Sequence, residues 1–346
     1  MKNRKHFVQF SIMVLLSVVF SMLTTQAQAG EIYRWKMSTW ASKGTLYGDY
    51  IFPNFCENVK EMSGGRLIIS VTGSGEVIGE AETFDAVRTG LLEVAVPYPG
   101  YYSGTVPQSL IETGLPFSLT NALEIDTLFR KRGFAEVLRK EVYAPLGCYY
   151  LGPSIQPGTP LISKTPIKSL SDIKGKKIRA GGPQAKVLAK LGAKIVIVPY
   201  GEVYTALATG VVDGAVCGSS GETYDLKLYE MAKYYMRPDV VPAQICPMLV
   251  NMKAWKSLPP DLQRILLIAA RENNQLMEIE CWNQNDMAWE EMRKSGVQSH
   301  VLSDTDQSKL REVGKELWDE LGRQDAVSGK LVKILEDYMV FLGYLK

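Results

Sequence analysis

The chain has 346 residues, 46% of them hydrophobic, and 39 Lys and Arg against 37 Asp and Glu give a formal charge of +2. That balance leaves no basic excess for nucleic acid or an anionic membrane surface, and the length allows two lobes around a sizeable core. Two histidines, His6 and His300, form no cluster for zinc and make a Ser-His-Asp or Cys-His site hard to build.

The N-terminus has the layout of a secretory signal peptide. Lys2, Arg4 and Lys5 are followed by an uncharged apolar run over 7–23 and by Ala27-Gln28-Ala29, so cleavage is expected after Ala29. Removing those three cations takes the formal charge from +2 to −1. No later segment is long and apolar enough to span a bilayer, so the mature chain is expected to be exported and not embedded in the membrane. Cys56, Cys148, Cys217, Cys246 and Cys281 show no CxxC spacing and read mostly as buried small apolar groups.

Beyond the leader, 32–38 reads as a strand, 45–62 as a helix and 67–71 as a strand. A helix then runs to Thr89, Gly90 suits its C-terminal stop, and 92–96 reads as a buried strand. The same order returns later: strand 177–179, helix 183–191 with Gly192, strand 195–198, helix 202–209 with Gly210, strand 211–216. The likeness extends to residues. ETFDAVRTGLLEVAV at 82–96 and EVYTALATGVVDGAV at 202–216 share six identities, and most other positions are conservative. Two successive β-α-β-α-β units imply two similar α/β lobes, each a mainly parallel sheet with flanking helices.

Expected boundaries are a signal peptide over 1–29, a first lobe over 30–152 completed by part of 243–346, and a second lobe over 153–242. A helical C-terminal region covers 253–346. Its helix over 258–294 is longer than either lobe requires and is expected to brace both. His300, in QSHVLSD, reads as part of a surface turn.

Ligands of open α/β sheets sit beyond the carboxyl ends of the strands. That rule sets Trp40, after the first strand, opposite Arg179, which ends a strand ahead of Gly181-Gly182. A guanidinium there offers a bidentate fork to a carboxylate or sulfonate. Tyr101, in Tyr98-Pro99-Gly100-Tyr101-Tyr102, follows the first-repeat strand, and Cys217 follows the second. Gln156 stands in a Gly/Pro-rich entry to the second lobe, and Gln244 at the expected return crossing. No P-loop, GxSxG motif, strand-linked GxGxxG or metal-ligand spacing is present.

The run 175–179, Leu191-Gly192-Ala193, Pro199, the repeat over 202–214, Pro116-Phe117 and NMKAWKSL at 251–258 together resemble the TRAP transporter solute-binding proteins. The resemblance covers essentially the whole mature chain. It implies a two-lobed periplasmic binding protein braced by a long helix, which captures a small organic anion and delivers it to small and large membrane permease subunits. It also implies that Arg179 holds the ligand carboxylate. Ile178-Arg179-Ala180-Gly181-Gly182 and YDLKLYEMAKYY at 224–235 are most similar to the 2-oxo acid-binding branch, which carries a glutamine matching Gln156. That branch also uses a Glu-Trp pair to hold a metal ion and the ligand. Val216 and Cys217 stand there instead, so no metal or other cofactor is expected. A short oxo or hydroxy acid, an aromatic acid or a small sulfonate fits that change. Two other readings remain open at this stage: an exported α/β enzyme working in the same cleft, and a ligand sensor for a membrane kinase.

Overall fold

The computed structural model describes residues 31–345, so the expected signal peptide lies outside the described residues. Nine strands join one sheet in the order β2-β1-β3-β8-β4-β7-β5-β6, with β9 beside β8. The first group is β1 (Tyr33–Thr39), α1 (Phe52–Met62), β2 (Leu67–Thr72), α2 (Thr83–Thr89) and β3 (Val94–Val96). All three residues of β3 are buried, as a strand covered on both faces requires. Its helix α2 ends at Gly90, whose φ of 88° is the left-handed stop that a Cβ resists.

Two long antiparallel strands lie between that group and the next: β4 (Cys148–Ser163) and β8 (Tyr234–Asn251). The second group is β5 (Lys177–Arg179), α3 (Gly182–Lys190), β6 (Lys194–Val196), α4 (Val203–Ala208) and β7 (Gly214–Val216). Within each group the central strand pairs in parallel, β1 with β3 and β5 with β6 and β7. The groups are not separate sheets. β3 pairs antiparallel with β8, and β7 with β4, so the two long strands weld both parallel sets into one mixed sheet.

Residues 34–346 form one compact unit; of the unit before it only 31–33 is described, where the Tyr33 hydroxyl donates to Glu31 at 3.0 Å. The helix α5 (Ser220–Asp225) follows β7, and the C-terminal third supplies α6 (Pro260–Lys294), β9 (Gln298–Val301), α7 (Asp304–Gly322) and α8 (Ala326–Phe341). With 35 residues, α6 is about 52 Å long. It reaches both groups. Asn58 of α1 donates to its Glu272 at 2.7 Å, and its Asn285 accepts the Gly221 N–H at 2.6 Å. At mid-length its Asn274 accepts the Ile155 N–H of β4 at 2.8 Å, so buried amides pin the helix across the long strands. His300 is not in a turn: it lies in β9, paired with Met236 and stacked on Tyr234 at 5.9 Å, because β9 adds to the edge of β8. All five cysteines are buried and free.

Candidate functional site

The carboxyl ends of β5 and β7 and the turn after β3 meet around one cavity. The space open to the centre of a water molecule inside it is about 30 Å3. With the water's own radius added, the compartment is about 6–7 Å across. It therefore suits a solute of a few heavy atoms.

Arg179 forms one wall and is only 8% exposed. Its Nε donates to the Val198 carbonyl at 3.0 Å and its Nη1 to the Val216 carbonyl at 3.1 Å. Those two bonds orient the guanidinium and leave its other N–H groups for the cavity. None of the ion pairs among the described residues includes Arg179. A buried cation with no counter-charge in contact is costly unless an anion is supplied from outside the fold.

Aromatic rings form the apolar walls. Trp40 follows β1 and packs edge-on against Tyr47, Phe52 and Tyr200 at 4.8, 6.2 and 6.4 Å. Its indole Nε1 is buried without a hydrogen-bond partner in the protein. Tyr98 and Tyr101 meet edge-on at 5.3 Å. The Tyr98 hydroxyl accepts from Gln184 of α3 at 3.1 Å, and burial pushes it up to about 12, so it stays neutral. Burial likewise raises the Cys217 thiol to about 11, against the pull of Arg179, so it is a protonated, unreactive group.

Two carboxylates complete the lining. Glu222 sits in the first turn of α5 in a capping box: it accepts the Ser219 N–H at 2.8 Å and the Tyr200 hydroxyl at 2.6 Å. Its burial raises its pKa. Glu80, in the short turn before α2, accepts from the Ser74 hydroxyl and reaches the Tyr200 N–H at 3.5 Å.

Of the residues singled out from the sequence, Trp40, Tyr101, Arg179, Cys217 and Gln244 all line this cavity. Gln156 does not. It is paired with Gln244 across β4 and β8, but its amide is directed at the Cys246 sulfur at 3.5 Å. Sequence reasoning missed Glu80, Gln184, Tyr200 and Glu222. Glu80 and Tyr200 stand two residues before the two copies of the repeat, so extending that alignment upstream would have raised them. Ser219-x-x-Glu222 carries a capping-box signature, which pointed to a helix start and not to a ligand.

The chain matches the family model for bacterial extracellular solute-binding protein, family 7 (DctP), over residues 37–325. It is 32% identical, over 260 residues, to a monocarboxylate 2-oxoacid-binding periplasmic protein of Nostoc sp. strain PCC 7120, covering 73% of this chain and 70% of that protein. A TRAP periplasmic solute-binding protein from Colwellia psychrerythraea, solved with bound calcium and pyruvate, superposes with a TM-score of 0.83 at 28% identity, over 90% of this chain and 96% of its own. A TRAP solute-binding protein from Bordetella bronchiseptica, with copurified calcium and picolinate, gives 0.83 at 25% identity over 91% and 94%. These relatives are transport solute-binding proteins and not enzymes. A two-lobed α/β architecture, a cavity at the strand ends and a match over most of the chain lead to one assignment: the chain belongs to bacterial extracellular solute-binding protein family 7 and is a TRAP solute-binding receptor.

Proposed function

We propose that this receptor captures a small organic anion between two lobes and delivers it to the small and large membrane subunits of its transporter. The lobes are 30–152, completed by part of 243–346, and 153–242, with 253–346 as the helical region that braces them. The leader over 1–29 directs the chain to the periplasm. Arg179 receives the anionic group, and Trp40, Tyr101, Cys217 and Gln244 line the walls. The observation that carries this reading is the buried guanidinium of Arg179, held by two backbone carbonyls and lacking any ion-pair partner among the described residues. Closure of the lobes over the solute removes water, so the charge pair forms in a medium of low dielectric.

Three of the relatives point the same way, to 2-oxo monocarboxylates, pyruvate and picolinate. Two of them hold calcium as well as the ligand. The donor set here does not suit a hard dication. Val216 brings no carboxylate and its carbonyl already accepts from Arg179, burial keeps the Cys217 thiol protonated, and the two carboxylates of the lining are engaged, Glu222 by Ser219 and Tyr200 with its pKa raised by burial and Glu80 by Ser74. Among the described residues, no group of three or more His, Cys, Asp or Glu is placed to hold a metal.

The test is calorimetry and thermal shift on the mature protein with pyruvate, lactate, picolinate and small sulfonates, with and without EDTA. Binding of organic anions that ignores EDTA and disappears in Arg179→Ala is the expected result. Anion affinity unchanged in Arg179→Ala, or binding confined to amines or sugars, overturns the reading.

A further inference from the structure

Arg179 has a mirror problem across the cavity. Glu80 is a partly buried carboxylate that lines the same compartment, and no ion pair among the described residues includes it. The two opposite charges line one cavity and are not within ion-pair distance of each other. Glu80 is reached by the Ser74 hydroxyl and, at a long 3.5 Å, by the Tyr200 N–H. An ionised carboxylate accepts at about four lone-pair sites, so acceptor capacity is left over. Glu222 adds a second carboxylate to the same lining.

We propose that the solute held on Arg179 carries a second group that donates hydrogen bonds, a hydroxyl or a protonated amine, and that Glu80 receives it. This rests on the anion reading above and narrows it. A plain monocarboxylate places its charge on Arg179 and turns an apolar end toward a carboxylate that then loses water without gaining a partner. A dianion places a second negative charge against Glu80. A hydroxylated or zwitterionic anion satisfies both ends, and the cavity's span sets the two groups roughly two to four bonds apart, as in lactate, alanine or taurine. Residues between the poles feel both. Burial raises both the Cys217 thiol and the Tyr101 hydroxyl; Arg179 pulls each back down, and Glu80 pushes each further up.

The experiment is calorimetry at neutral pH with four probes of similar size: propionate, L-lactate, L-alanine and taurine. The wild type is expected to bind at least one donor-bearing probe at least tenfold more tightly than propionate. Glu80→Gln is expected to reduce that preference to threefold or less while leaving propionate binding equal or stronger, and Glu80→Asp to retain part of it. Lactate against alanine and taurine tells a hydroxyl from an ammonium. If Glu80→Gln does not fold, by its unliganded melting curve, the wild-type ranking and Glu80→Asp decide the matter. Propionate binding as tightly as every donor-bearing probe, in an Arg179-dependent way, overturns this inference and leaves the anion reading standing. An unchanged preference in Glu80→Gln also overturns it. Failure of all four probes, together with every other organic anion, removes the anion reading and this inference with it.

Discussion

The two copies of the repeat build the same corner and furnish it differently. In the first lobe β1 pairs with β3, with Ser38 opposite Ala95; in the second β5 pairs with β7, with Arg179 opposite Ala215. Ala95 and Ala215 hold the same place in the repeat, so Ser38 and Arg179 are counterparts. One is a small buried hydroxyl with no partner, the other a buried cation tied to two carbonyls. The exchange recurs two residues upstream of the copies, where Glu80 ahead of the first answers to Tyr200 ahead of the second, and the Tyr200 N–H donates to Glu80 at 3.5 Å. Duplication thus supplies the frame of both jaws, while single substitutions at matched strand ends make one jaw cationic and set a carboxylate in the other.

The sharpest way to break that asymmetry is Arg179→Ala. It should weaken binding of pyruvate or lactate by at least about 100-fold, or ~3 kcal/mol, with little change in the melting temperature of the unliganded protein. Calorimetry beside a melting curve checks both halves.

Each lobe also buries one acid, and their fates should differ. Glu112 lies outside the ligand cavity, buried with Tyr143 donating to it, and burial raises it to about 8. Glu222 lines the cavity and is raised as well. A carboxyl whose pKa is higher folded than unfolded adds stability that is complete below the unfolded value of 4.5 and is lost as pH rises through about 8. Wild type should therefore lose stability relative to Glu112→Gln between about pH 4.5 and 8, on the order of a few kcal/mol. Denaturant melts across that range, without ligand, would show it; parallel curves for the two proteins would sink it.

A Cβ on Gly100 would stand 3.1 Å from the Gly182 N of the other lobe and 2.5 Å from the Tyr98 ring. Gly100→Ala is expected to weaken ligand binding about tenfold, ~1.4 kcal/mol, through the closed state, with a smaller effect on the unliganded melting temperature.

The repeat's two stop glycines offer a finer comparison. Gly90 and Gly210 have φ of 88° and 78°. Alanine at either should cost about 1 kcal/mol for the left-handed backbone. At Gly90 its Cβ would also meet the Asn251 amide at 3.4 Å, whereas at Gly210 nothing lies within 4 Å. Gly90→Ala should thus be the more destabilising of the two in denaturant melts. The smallest effect belongs to Ser38→Ala, which removes a buried hydroxyl without a partner and should shift stability by less than about 0.5 kcal/mol and binding not at all.

Much of the frame was legible because it is local. Helix, stop glycine and buried strand follow one another within fifteen residues in each copy, and the 35-residue α6 announces itself through Pro260 and unbroken helical composition. Arg179 was legible for the same reason, as a cation at a strand end before a glycine turn. The single mixed sheet was not, since β4 and β8 pair over residues far apart in the chain. Gln156 shows the limit at one side chain: its Gly/Pro-rich surroundings read as an entry turn to the second lobe, whereas it lies within β4, and register and the neighbouring Cys246 decided where its amide went.

By itself the sequence determined that two α/β units of one design would form, because period, capping and turn chemistry act over a few residues. Only the tertiary structure decided what lines the cavity. Glu80 and Tyr200 are 120 residues apart, and nothing in either segment marks it as polar lining until the lobes face each other. The balance of one buried guanidinium against two carboxylates is a property of that meeting, since electrostatic interaction depends on separation and burial in space and not on position along the chain.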